Sequence, residues 1–163
     1  MPEALVAAAG GRDVIEIDRD LAAAIERKPW AQDVTVHCTD ALKLDFTQIS
    51  AAPGSLRLAG NLPYNISTPL LFHILTHHSL FTDVHVMLQK EVVERMAAGP
   101  GSRTYGRLSV ALAARCKVES LFAIKPGAFT PAPRVQSAFA RLMPLPQPLL
   151  EAAAFRAFDD VLR

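Results

Sequence analysis

Residues 13–38 read DVIEID RDLAAAIERK PWAQD VTVHC, from Asp13 to Cys38, and their reading decides the fold class. Asp13 to Asp18 and Val34 to Cys38 are short, mostly apolar runs of strand character, and Arg19 to about Arg27 carries a helical pattern between them. Strand, helix and strand in that order are the sequence form of a β/α/β unit, which predicts the α/β class with a largely parallel sheet.

Downstream residues continue the alternation. Leu56 to Ala59 gives a third strand and Ser67 to His78 a helix opened by Ser-Thr-Pro, with Pro69 tolerated in its first turn. Val84 to Leu88 is a fourth strand. Helices over Lys90 to Ala98 and Arg107 to Val118 are joined by Gly99-Pro100-Gly101-Ser102-Arg103, whose composition demands a loop. Leu121 to Ile124 and Ala138 to Leu142 form a late strand pair, and Pro126, Pro131 and Pro133 between them enforce an extended, irregular connection. Leu149 to Arg163 is amphipathic and reads as a helix that stops without a capping glycine.

A length of 163 residues with 50% apolar content predicts one globular unit with a substantial core. No run of 18 apolar residues and no signal-peptide pattern is present, so the expectation is a soluble, cytoplasmic protein without a membrane partner. Cys38 and Cys116 stand far apart without metal-ligand spacing, and both are expected to be buried fillers. The net charge of +1 conceals a division: residues 1–82 hold six Lys/Arg against nine Asp/Glu, and residues 83–141 hold nine against four. A basic region gains affinity for a polyanion by counterion release and an acidic one does not, so the division points to two partners in two places.

Glu16 lies at the carboxyl end of the first strand, where an acid can accept hydrogen bonds from both hydroxyls of a ribose. Capping the next helix is the competing role for Glu16 or Asp18, and Asp18 suits it better. Asp40 follows the second strand at a comparable place and can reach the exocyclic amine of an adenine, against the plainer reading of a turn residue. The most informative stretch is Gly60-Asn61-Leu62-Pro63-Tyr64-Asn65. An Asn side-chain oxygen and a backbone carbonyl can together hold an amine so that its lone pair faces an electrophile, while Tyr64 stacks on the ring; no strong base is then needed. An Asn-Pro turn with Tyr64 packed on the core is the plain alternative. His73, His77 and His78 have no acid or cysteine to complete a metal site and are read as structural or exposed, with no metal expected.

Asn-Leu-Pro-Tyr after a strand is the signature of adenine amino-methyltransferases, and the flanking text resembles one family, the ribosomal RNA adenine dimethyltransferases. The similar stretches are GNLPYNISTPL (60–70), MLQKEVVER (87–95), YGRLSV (105–110) and FTPAPRVQSA (129–138), which span most of the chain. The resemblance implies a Rossmann-like class I methyltransferase, S-adenosylmethionine as donor, and dimethylation of two adjacent adenosines near the 3′ end of small-subunit ribosomal RNA, within the immature small ribosomal subunit. It implies that Glu16 binds the cofactor ribose and Asp40 its adenine amine. Asn61 would lie between cofactor and target, with Leu62 and Pro63 completing the catalytic stretch. Tyr64 and Phe129 would sandwich the target adenine, although a Phe between prolines is by itself a packing anchor. Target bases must leave their stack to reach such a pocket, which gives the two aromatic faces a use. Arg95, Arg103, Arg107, Lys117 and Arg134 are the candidates for phosphate contacts, each competing with an ordinary solvated surface role.

Members of that family open with an Arg/Phe/Gly/Gln/Asn-rich segment and a strand ending in a glycine-rich turn. This chain opens at Met1-Pro2-Glu3-Ala4-Leu5, similar to the end of the helix after that turn, and has no G-x-G before Glu16. The resemblance therefore implies truncation at both ends: residues 1–147 as a partial catalytic domain lacking its central first strand, and residues 148–163 as the start of a C-terminal helical region. Loss of a central strand exposes ladder groups on both neighbours, a cost that a domain's net stability of about 5–15 kcal/mol does not absorb. A lone monomer is expected to be compromised, and strand exchange between copies is one remedy. Two rival functions stand: a large-subunit ribosomal RNA adenine methyltransferase, and a noncatalytic RNA-binding or assembly factor, for which the missing cofactor turn argues.

Overall fold

A computed structural model of the protein describes residues 2–9 and 13–162. The chain divides into two compact units, Met1–Ile49 and Ser50–Arg163, rather than the single unit that composition suggested. No helix among the described residues is long and apolar enough to cross a membrane.

The first unit opens with helix α1 (Pro2–Ala9), whose leading proline suits a first helical turn. Strand β1 (Asp13–Glu16) pairs in parallel with β2 (Thr35–Cys38), in a register that sets Glu16 opposite Cys38. Helix α2 (Arg19–Glu26) crosses between them. Its start is fixed by Asp18, whose carboxylate accepts from the amides of Asp20 (2.8 Å) and Leu21 (3.1 Å), two of the donors a helix leaves unsatisfied. Among the described residues Ala22, Ala31, Leu44 and Phe46 form its small buried core. Cys38 is exposed, a correction to its expected burial: it ends a strand of the two-stranded sheet and faces outward, whereas Cys116 is buried as expected. Burial pushes the Cys116 thiol up to about 12, opposed by the neighbouring Arg115 charge.

The second unit is built on a four-stranded sheet ordered β3-β4-β6-β5. β3 (Leu56–Asn61) runs parallel to β4 (Phe81–Gln89), and β6 (Ser137–Pro144) is antiparallel to both β4 and β5 (Cys116–Ile124). The sheet is thus mixed, not largely parallel: the 125–136 connection from β5 to β6 holds a short 3-10 turn and no crossover helix of the kind that usually returns a strand in parallel. β1 has β2 as its one strand neighbour and β3 has β4, so each keeps one side of its ladder unpaired among the described residues.

Helices α3 (Ser67–Thr76), α4 (Lys90–Met96), α5 (Arg107–Ala113) and α6 (Phe155–Val161) complete the unit. On β4 and β6 the alternation places Val84, Val86 and Leu88 opposite Leu142, Ala140 and Ala138, all buried. Leu71, Ile74, Leu75, Val93 and Leu112 from the helices are buried with them, each contributing about 1.5–3 kcal/mol by burial. The other parity carries Asp83, His85, Phe139, Arg141 and Glu119. There Phe122 stacks on Phe139 at 5.5 Å between centroids, and Glu119 receives Lys117 (2.9 Å) and Arg141 (2.6 Å). Those two contacts, Lys117 first, hold the Glu119 carboxyl below its usual range.

Several details differ from the sequence reading. α5 stops at Ala113 and β5 begins at Cys116, so residues 116–118, expected in a helix, belong to a strand. Pairing with β6 along the whole of β5 outweighs a helical spacing that would have continued through Val118. α3 is entered from Ile66 without a side-chain cap, and the Ser67 hydroxyl donates instead to the Tyr64 carbonyl at 3.1 Å. Residues 149–151 are not helical; a short 3-10 turn, Ala152–Ala154, precedes α6, and Arg163 lies outside the described residues.

Arg115 joins α6 to the rest of the unit. Only 1% exposed, it donates to both carboxylate oxygens of Asp159 at 2.8 Å and to the Ala111 carbonyl, with its guanidinium 4.0 Å from the Phe155 ring centroid. His78 meets the same Phe155 ring edge-on at 5.3 Å. Burial lowers the His78 value from the ordinary 6.5 and the Arg115 charge lowers it further, against the hydrogen bond to the Leu75 carbonyl. As pH falls below about 6.5 the unfolded chain takes up this proton first, so stability is full above that pH and is lost towards the folded value. Urea midpoints measured from pH 7 to 5.5 should fall, and a His78→Phe variant should show a flatter profile; an unchanged slope would remove His78 as the cause.

Candidate active site

In the first unit Glu16 ends β1 and Asp40 stands two residues beyond the end of β2, so parallel pairing brings both acids to the carboxyl end of one sheet. The Thr39 amide donates to the Glu16 carbonyl at 3.0 Å and extends the ladder to that end. One carboxylate oxygen of Glu16 accepts from the Asp18 amide (3.0 Å), and one of Asp40 accepts from the Leu42 amide (2.9 Å). Each acid is therefore steadied by its own turn through one oxygen, and neither second oxygen carries a hydrogen bond among the described residues. Asp40 does make the turn contact of its plainer reading, and the helix-capping role falls to Asp18.

In the second unit β3 runs through Gly60 and ends on Asn61, with Asn61 opposite Met87 of β4. Beyond it the Leu62 amide donates to the Met87 carbonyl at 3.1 Å, and the Leu62 side chain is buried. The Pro63 carbonyl accepts from the Ile66 amide (3.2 Å) and the Tyr64 carbonyl from Ser67, while the Leu62 carbonyl and the Asn61 side chain carry no partner among the described residues. The loop thus presents an amide oxygen and a backbone carbonyl from consecutive residues, fixed by bonds that do not consume them. Tyr64 is half-buried, and its hydroxyl meets the Ser137 hydroxyl at 2.5 Å.

Phe129 lies in the 125–136 connection, half-buried, just after a 3-10 turn at Pro126–Ala128 and before a cis Thr130-Pro131 peptide bond; its amide donates to the Pro126 carbonyl. The five basic candidates are all exposed but not equivalent. Lys117 is engaged by Glu119, and the Arg107 guanidinium lies 4.7 Å from the centre of the Phe72 ring. Arg95, Arg103 and Arg134 have no ion pair among the described residues. Arg95 and the start of α5 are held together by the Ser109 hydroxyl, which donates to the Arg95 carbonyl at 2.6 Å. Gly101 takes φ 83° in the loop bearing Arg103, a left-handed conformation that favours glycine. The histidines serve structure: His77 approaches the His73 carbonyl, and their rings meet edge-on. The residue that sequence reading did not single out is Ser137, whose only signal was its place inside the 129–138 stretch.

Comparison with solved structures defines the class. A dimethyladenosine transferase from Plasmodium falciparum superposes with a TM-score of 0.82 at 29% identity, over 99% of this chain and 57% of that one. The 23S rRNA methyltransferase ErmE gives 0.77 at 24% identity, over 97% and 62%, a likeness of fold. The architecture is the Rossmann-like fold of methyltransferases, represented in part. The family model for ribosomal RNA adenine dimethylase matches residues 5–163, and the chain belongs to that family. Ribosomal RNA small subunit methyltransferase A of Pseudomonas fluorescens is 49% identical over 98% of this chain, and that of Acidithiobacillus ferrooxidans 52% identical over 80%. The chain spans 63% and 49% of the lengths of those two relatives.

Proposed function

We propose that this chain carries the catalytic machinery for S-adenosylmethionine-dependent dimethylation of two adjacent adenosines near the 3′ end of small-subunit ribosomal RNA, acting in the cytoplasm on the immature small subunit. The observation that carries this reading is the pair of uncommitted acceptors, Asn61 Oδ1 and the Leu62 carbonyl, on a loop pinned to β4 and followed at once by Tyr64. The small-subunit substrate, rather than the large-subunit one, rests on the names of relatives about half identical to this chain. Within the reading, residues 1–147 are the catalytic part and 148–163 begin a C-terminal helical region.

The residues present fit the cofactor. Glu16 and Asp40 leave the same end of a parallel strand pair, each with one carboxylate oxygen uncommitted, which suits a ribose diol at the first and an adenine amine at the second. Bound there, S-adenosylmethionine supplies an electrophilic methyl group on a sulfonium sulfur. Asn61 Oδ1 and the Leu62 carbonyl accept the two N–H bonds of the target's exocyclic amine, which turns its lone pair outward without a strong base. Tyr64 and Phe129 stack on the extruded base. Arg95, Arg103 and Arg134 meet phosphates, and Arg107 and Lys117 join them by giving up internal contacts, so their contribution is smaller.

Calorimetric titration with S-adenosylmethionine tests the reading. The protein should bind it, and Glu16→Ala should weaken binding about 10- to 100-fold through loss of charge-assisted hydrogen bonds. Absence of binding would favour a noncatalytic RNA-binding or assembly role instead.

A further inference from the structure

We propose that Ser137 is a positioning residue that sets the plane and place of the Tyr64 ring; the inference rests on the reading of Tyr64 as the platform for the target base. Ser137 is the first residue of β6, paired with Gln89 of β4 and Ile124 of β5, and its side chain is fully buried at 0% exposure. A buried hydroxyl is costly without a partner. Its partner is the Tyr64 hydroxyl, 73 residues away in sequence, at 2.5 Å, the short end of the range for O–H···O bonds.

Four bonds outside the strand ladder hold the Asn61–Tyr64 stretch in place. The Leu62 amide to Met87, the Ile66 amide to the Pro63 carbonyl and the Ser67 hydroxyl to the Tyr64 carbonyl fix backbone; the bond to Ser137 is the one that acts on the ring. A phenol O–H lies in the plane of its ring by conjugation, so this bond constrains the ring's tilt as well as its far end. Phenylalanine would stack on a base equally well, and a half-buried hydroxyl earns no stacking, so the tyrosine has a use at this position that stacking does not supply. Ser137 also closes the 125–136 connection that carries Phe129. One strand end therefore anchors the Tyr64 ring and receives the segment bearing the second aromatic residue. The chemistry requires reacting atoms aligned to within a fraction of an ångström, and a ring free to tilt misplaces the amine without weakening phosphate contacts that dominate RNA affinity.

The test is steady-state methylation of small-subunit RNA by the protein and by Ser137→Ala, Tyr64→Phe, the double variant and Tyr64→Ala. Ser137→Ala and Tyr64→Phe should each lower kcat about 10- to 100-fold with KM for RNA changed less than about threefold, and the double variant should be no worse than either single one. In protein with labelled tyrosine rings, Ser137→Ala should also move the Tyr64 NMR signals and leave those of Tyr105, which Tyr105→Phe identifies. Additive losses in the double variant, or unshifted Tyr64 signals, would overturn the proposal and leave Ser137 a core residue. If Tyr64→Ala abolishes turnover while Tyr64→Phe and Ser137→Ala retain it, the base platform stands and the positioning role falls. If Tyr64→Ala keeps full turnover, or the unsubstituted protein has none, the platform reading itself fails and the role falls with it.

Discussion

Asn61→Ala is expected to reduce methyl transfer about 10²- to 10³-fold, in line with removal of one preorganised acceptor from a reacting centre. The side chain ends β3 and has no partner among the described residues, so its removal breaks no bond that holds the fold. The variant should therefore unfold at the same temperature as the parent and bind RNA with the same affinity, with the loss appearing in kcat. Asn61→Asp is informative in the same assay, since it keeps an acceptor at the position while introducing a charge. Rates within threefold of the parent for Asn61→Ala would mean that the amine is held by other groups.

The largest effect on stability is expected at Asp159. Its carboxylate takes two hydrogen bonds from Arg115, and removing it leaves a guanidinium that is 1% exposed with the Ala111 carbonyl and two aromatic faces as company. Breaking a buried ion pair from one side costs about 3–5 kcal/mol, and the lower end applies because the Asp159 side chain is 26% exposed. Asp159→Ala should accordingly lower Tm by on the order of 10 °C and release α6, the helix that the pair holds. Replacing both partners, as in Arg115→Met with Asp159→Leu, should recover much of the loss, because the charge is then no longer stranded. A loss below about 0.5 kcal/mol in the single variant would show that Phe155 alone docks the helix.

The part of the fold most legible in the sequence was the part governed by local signals. The run from Asp13 to Cys38 gave strand, capped helix and strand because Asp18 stands where a helix start needs an acceptor and the apolar runs flanking it are short. The Asn61–Tyr64 loop was legible because its residues are costly to place after a strand without a use. Residues 116–118 were not, since Leu108, Leu112 and Arg115 continue a helical spacing into what is in fact the turn before β5. Only the partner strand, distant in sequence, settles such a segment. The antiparallel order of β4, β6 and β5 and the division after Ile49 are likewise properties of pairing that no window of sequence contains. At the candidate site, sequence pattern named the side chains but not their commitments. Lys117, a candidate for phosphate contact, is paired with Glu119, the Pro63 carbonyl is taken by Ile66, and Ser137, which was not singled out, touches Tyr64.

The most direct measurement is mass spectrometry of nucleosides from small-subunit RNA incubated with the protein and S-adenosylmethionine carrying a labelled methyl group. Labelled N6,N6-dimethyladenosine is expected at two adjacent positions near the 3′ end, lost in Asn61→Ala. RNA that is bound but carries no label, or label on large-subunit RNA alone, would contradict it.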